Sequence, residues 1–110
     1  MAENDGVSIV LVTAPVDAAP ELARALVQRR VAACANLIPA VRSFFWWDGE
    51  VKDEPEALLI LKTRSDAFER LRDAVIELHP YDVPEIIATD VDQALATYAR
   101  WIGDEVSSSP

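Results

Sequence analysis

Thiol and imidazole chemistry are almost absent from this chain, which has one cysteine, Cys34, and one histidine, His79. A single cysteine excludes an intrachain disulfide. A closed structural zinc site takes about four Cys or His ligands. One copy of the chain therefore cannot assemble such a site from these residues. A soft-metal site would have to borrow ligands from other copies, or use carboxylates and backbone groups. Long apolar runs are missing too, and none approaches the roughly 18 residues that span a bilayer. The start, Met1-Ala2-Glu3-Asn4-Asp5-Gly6, is acidic and lacks the basic region of a secretory signal. A soluble, cytoplasmic protein with no membrane partner is the expectation. Basic residues are scarce, 10 against 19 acidic ones, which gives a formal net charge of −9. Nucleic-acid affinity rests on neutralising phosphates with Lys and Arg, so no nucleic-acid partner is expected. An acidic surface attracts cations only loosely. No Ser/His/Asp order, Gly-rich phosphate loop or paired-Cys motif occurs. An acylphosphatase-like hydrolase would want an Arg after the first strand, and Thr13-Ala14-Pro15-Val16 offers none. The chain does not read as an enzyme.

What is present is one domain's worth of core. The 110 residues are 51% hydrophobic and 26% charged, a globular composition near the commonest domain size. The apolar share is high for so small a sphere, and burial between subunits is one way to hide the excess. Val7 to Val12 is β-branched and aliphatic, which predicts a buried strand. The spacing of Leu22, Ala25, Leu26 and Arg29 predicts a helix over 18–30, with Asp17 as its N-cap and Pro20 in its first turn. A second strand starts over Ala32 to Pro39, with Pro39 at a kink, and Ser43-Phe44-Phe45-Trp46-Trp47 continues it. Asp48-Gly49 is the strongest hairpin signal, because a type I′ turn needs φ > 0 at both central residues. Glu50 to Asp53 returns, and Glu56 to Thr63 is a third strand. Ser65 is expected to cap a helix carrying Phe68, Leu71, Val75 and Leu78, stopped by Pro80. Val83 to Thr89 reads as a fourth strand. Asp92 then caps a last helix with Leu95, Tyr98, Trp101 and Ile102 inward and Gly103 at its end. The order is α+β, a ferredoxin-like β-α-β-β-α-β with an extra C-terminal helix. The domain spans 7–104, with flexible termini at 1–6 and 105–110. The aromatic hairpin arms look long enough to protrude and to need a neighbouring subunit for burial.

Several motifs follow one another at compatible spacing: Val12-Thr13-Ala14-Pro15, Arg30-Val31-Ala32-Ala33-Cys34-Ala35-Asn36, Ser43 with Trp47-Asp48-Gly49, Glu56 with Leu61-Lys62-Thr63, and His79-Pro80-Tyr81-Asp82-Val83-Pro84-Glu85. In these the chain resembles the CutA family of divalent-cation tolerance proteins over about residues 8–103. The resemblance implies a ferredoxin-like fold and an interlocked homotrimer assembled like the PII signalling proteins. It also implies a non-catalytic role linked to copper or other divalent-metal tolerance, with no required cofactor. Some members are held to bind copper through a Cys where Val12 stands and a second His where Leu78 stands. Of that set only His79 remains.

His79 is thus the metal candidate, since imidazole suits copper and zinc. The alternative is a helix-end histidine bonded to backbone carbonyls. Cys34 is a possible thiol ligand, or a small hydrophobe in an apolar stretch. Lys62 ends an aliphatic strand and is either a contact for a small anion or one half of a salt bridge with Glu85 or Glu56. Trp47, Lys62, Tyr81 and Glu85, with His79, are candidates to line a cleft between subunits. Asp53, Glu54 and Glu56 read as a solvated acidic face. A small-molecule sensor resembling PII, binding a metabolite in such clefts, is the alternative function.

Overall fold

The structure, a computed structural model, describes residues 6–107. Of the termini expected to be flexible, residues 1–5 and 108–110 lie outside the described residues. The chain runs β1 (Val7–Ala14), α1 (Ala19–Gln28), β2 (Cys34–Trp47), β3 (Glu50–Arg64), a 3-10 turn (Ser65–Ala67), α2 (Phe68–Leu78), β4 (Ile87–Asp90) and α3 (Ala96–Glu105). The sheet order is β2-β3-β1-β4, and every neighbouring pair is antiparallel. Each helical crossover therefore skips one strand, which is the split βαβ arrangement predicted above. Val10, Val12 and Ala14 alternate onto one face of β1, with Ala57, Leu59 and Leu61 beside them on β3. They pack with Leu22 and Leu26 of α1 and with Leu71 and Val75 of α2.

The opposite face of the sheet is largely uncovered. Strand alternation places Ile9 and Leu11 of β1, Leu58, Ile60 and Lys62 of β3, and Cys34, Asn36 and Ile38 of β2 on it. These residues are half-buried or exposed. At one end, α3 packs Ala99, Ile102 and Val106 around Val7 and Ala67.

The second strand continues through Ser43–Trp47 as expected, with an irregularity between Ile38 and Val41. Pro39, which has no N–H for the ladder, sits at that break. β1 pairs with β3 only between Val7↔Arg64 and Ala14↔Ala57. The arms from Val41 to Glu56 are thus a two-stranded ribbon outside the sheet, and they help stretch the molecule to 46 × 25 × 22 Å. At the tip Asp48 and Gly49 take φ of 54° and 78°, as a type I′ turn requires.

Other expectations differ from what is found. Asp17 does not cap α1, whose N-cap is Ala18 without a side-chain bond. Ser65 makes no cap bond either; its hydroxyl is taken by Ser8 at 2.5 Å and by Asp90 at 3.2 Å. Asp92 does not cap α3, which starts from Leu95. Leu95, Tyr98 and Trp101 face outward, and the buried stripe is Ala99 with Ile102. The small Ala99 lets the helix approach the sheet end closely, which its bulkier neighbours could not. Gly103 lies inside α3, not past its end. β4 starts at Ile87 and not at Val83, since Pro84 interrupts any ladder there. Val106, placed in the loose tail, is buried. Ser107 donates its backbone N–H to the Arg30 carbonyl at 2.8 Å.

Candidate functional site

Four segments meet where the hairpin ribbon leaves the sheet. Thr13 lies one residue before the end of β1, and Pro15–Asp17 turn the chain toward α1. Ser43–Trp47 and Lys52–Glu56 are the two arms of the ribbon. Residues 81–85 follow α2, where Pro80 and Pro84 hold the backbone out of regular structure. Between them lies an open groove of about 920 Å³. Its walls carry Phe44, Phe45, Trp47 and Tyr81, and its polar groups are mostly carboxylates.

Glu56 is the central one. It shares strand parity with Leu58 and Ile60 and is only 6% exposed, so it is not part of the solvated face expected of it. Its Oε2 accepts the Tyr81 hydroxyl at 3.1 Å. Burial first, and then the bond and charge of Glu56, push the Tyr81 phenol above its usual range. Glu85 is affected by the same carboxylate: desolvation, followed by the repulsion of Glu56, raises its pKa above the ordinary value. Two carboxylates thus share one groove. No ion pair reaches either among the described residues.

His79 supports this site from behind. It is 7% exposed, and its ring lies 4.7 Å from that of Tyr81, centroid to centroid. Its Nε2–H donates to the Thr13 carbonyl at 2.7 Å, and its Nδ1 accepts the Tyr81 backbone N–H at 3.1 Å. Both ring nitrogens are therefore used, and neither offers a lone pair to a metal ion in this arrangement. The ring fixes the end of β1 to the loop that carries Tyr81. The helix-end reading named the right kind of partner, a backbone carbonyl, but that carbonyl belongs to β1.

Lys62 does not join the groove. It lies six residues along β3 from Glu56, about 20 Å at strand spacing. Its ammonium bonds the Asn36 side chain on the uncovered sheet face, and the salt bridge expected with Glu85 or Glu56 is not formed. Within one chain the groove is consequently acidic, and Lys62 of the same chain does not reach it. Cys34 is also remote, beside Lys62 in the β2–β3 register, with its thiol 3.9 Å from Asn36 Oδ1. Trp47, Tyr81 and Glu85 do line the groove together.

The fold has close counterparts among solved structures. CutA1 from Oryza sativa superposes with a TM-score of 0.93 at 34% identity, covering 98% of this chain and all of that one (100%). The Thermus thermophilus divalent cation tolerance protein gives 0.88 at 39%, over 92% of this chain and 99% of that one. By sequence, the divalent-cation tolerance protein CutA of Thermus thermophilus is 42% identical over 95 residues, which is 86% of this chain and 92% of that protein. Protein CutA homolog of Xenopus laevis is 41% identical over 104 residues, 94% of this chain and 69% of that one. The sequence profile of the CutA1 divalent ion tolerance protein family matches residues 8–105. The chain belongs to the CutA1 family.

Family membership raises the question of metal. Among the described residues no three His, Cys, Asp or Glu side chains are grouped to hold an ion. Val12 and Leu78, the positions linked above to copper ligands, are spent on packing: Val12 is fully buried in the core and Leu78 packs against it. The described residues of one subunit therefore hold no preformed group of this kind. No helix among the described residues is long and apolar enough to cross a membrane.

The groove was partly legible in the sequence. Trp47, Tyr81 and Glu85 were found through their motifs. Glu56 was assigned to the surface, and its parity with Leu58 and Ile60 of the uncovered face gave no signal of its burial.

Proposed function

We propose that this CutA1 protein is a non-catalytic, cytosolic homotrimer that serves divalent-metal tolerance, copper included, and that its groove is completed between subunits. The observation that carries the assembly is the hairpin ribbon. Trp46 is 75% exposed and Trp47 56%, and Phe44 and Val51 join them outside any core. Exposed apolar side chains on both faces of a ribbon, Phe44, Trp46 and Val51 on one and Trp47 on the other, mark an interaction surface. The uncovered sheet face supplies a second apolar surface for a neighbouring copy. In this reading metal ligands come from more than one subunit or from carboxylates, and His79 is a structural residue. Light scattering on the purified protein should give about three times the chain mass of 12.1 kDa; a mass of one chain defeats the trimer. Calorimetry with copper and zinc tests the metal role, and binding no tighter than millimolar removes direct ligation.

One observation favours a second reading, a small-molecule sensor. The groove has the volume of a ligand site and combines aromatic walls with a buried charged group. A thermal-shift screen of metabolites that raised the melting temperature would support it.

A further inference from the structure

The groove has negative charge without its complement. Glu54, Glu56, Asp82 and Glu85 line it, and none of them forms an ion pair among the described residues. Lys52, the single cation on its wall, is paired at 3.8 Å with Glu50. Buried charges are normally paired or bound to metals, and no metal cluster is grouped here. Glu56 is the sharpest case. Its Oε2 is bonded to Tyr81, whereas its Oε1 has no partner among the described residues and is not sealed off as a buried orphan. That oxygen is reached through the groove that Glu56 lines. The remaining walls are aromatic and aliphatic, from Phe44, Trp47, Tyr81 and Val83. Aromatic faces attract organic cations and suit a hydrocarbon body, but offer nothing to a hydrated metal ion.

We propose that the groove binds a small organic cation, a protonated amine on an apolar body, with the ammonium held by Glu56 and Glu85. This inference deepens the small-molecule reading and is independent of the metal role. It explains why Glu56, a residue only 6% exposed, has a single neutral donor: the bound ammonium supplies both the charge and the second hydrogen bond. It also explains why the acidic floor is walled by rings.

The probe is phenethylammonium chloride, titrated into the full-length isotopically labelled protein at constant ionic strength and followed by NMR, with sodium chloride as the reference. The expected result is saturable shifts confined to residues 13–17, 43–56 and 81–85. Glu56→Gln and Glu85→Gln should each weaken binding by about tenfold or more, the scale of a lost charge-assisted contact. Glu56→Gln keeps an acceptor for Tyr81, and both variants are checked for an unchanged fold by their spectra. Glu77→Gln, an exposed carboxylate on α2, should leave the affinity unchanged. No saturable shift beyond that of sodium overturns the proposal, as does full affinity in both groove variants. If phenylpropionate binds and the amine does not, this inference falls while the small-molecule reading stands. If the amine binds only after Lys62→Met, the ammonium is supplied by Lys62 of a second copy, and the free-ligand proposal is overturned.

Discussion

His79 joins the end of β1 to the groove loop through two hydrogen bonds made in near-complete burial. Removing one partner of a buried bond costs roughly 1–3 kcal/mol, because the group left behind is desolvated and unpaired. His79→Ala should therefore lower unfolding stability by about that amount in denaturant titrations. Its copper and zinc binding, measured by calorimetry, should not change. Glu85 contributes to the pH dependence of stability. The folded state holds the Glu85 proton more tightly than the unfolded chain does, since desolvation and then Glu56 raise its pKa. The unfolded state thus binds fewer protons in the window between the ordinary carboxylate pKa and the raised one, and stability falls as pH rises through that window. Glu85→Gln should flatten that part of the stability curve. In Glu56→Gln the Glu85 carboxyl should titrate closer to its ordinary value, since the repulsive charge is gone. Carboxylate NMR titration checks both. The three groove residues legible in the sequence stood in rigid, turn-rich motifs. Glu56 was misjudged as solvated because one letter does not say whether a polar side chain finds its partner across the fold.

Regular elements were read well where a single periodicity controlled them. Period-two alternation in β1 and β3 and the Asp48-Gly49 turn left little choice. Helix ends were read poorly, because cap preferences are worth about 1 kcal/mol and tertiary contacts overrode them. Ser65 shows this: its hydroxyl serves Ser8 and Asp90 across the sheet, not its own helix. Arg30 shows it differently, holding φ of 59° where glycine is usual. Its guanidinium bonds the Glu105 carboxylate at 3.2 Å and the Glu105 carbonyl at 3.1 Å, and its own carbonyl accepts from Ser107. The end of α1 and residues 105 and 107 around the end of α3 are clasped together. In α3 Ile102 was read inward correctly, but Leu95, Tyr98 and Trp101 were not, because their large side chains outweigh Ala99 in any hydrophobic count. The ribbon turn carries a direct test. Gly49→Val places a β-branched residue at φ of 78°, which costs about 1–2 kcal/mol. The variant should be less stable by roughly that amount in denaturant titrations, with the Val41–Glu56 arms losing amide protection in hydrogen exchange before the core does.

At the scale of the molecule the ribbon and the uncovered sheet face are unfinished surfaces. One chain buries Val10, Val12, Leu59, Leu61 and Leu71 completely, so the subunit has a core of its own. Trp46→Glu and Trp47→Glu should reduce the mass by light scattering toward one chain while circular dichroism keeps the α+β signature. An unchanged mass in both variants counts against the ribbon as the assembly element. Topology was the most legible property at this scale, because strand order follows from connection rules. The groove's acidity was not, because it arises from segments far apart in sequence. The distribution of indole rings has an optical consequence. All three tryptophans, Trp46, Trp47 and Trp101, sit at the surface of the chain and none in its core. Intrinsic fluorescence then responds less to core melting than a buried indole would, and in the proposed assembly it reports whether those surfaces meet water or protein. Dilution should shift emission to the red at concentrations where far-ultraviolet ellipticity is constant, so an emission-derived midpoint read as unfolding would register the separation of copies.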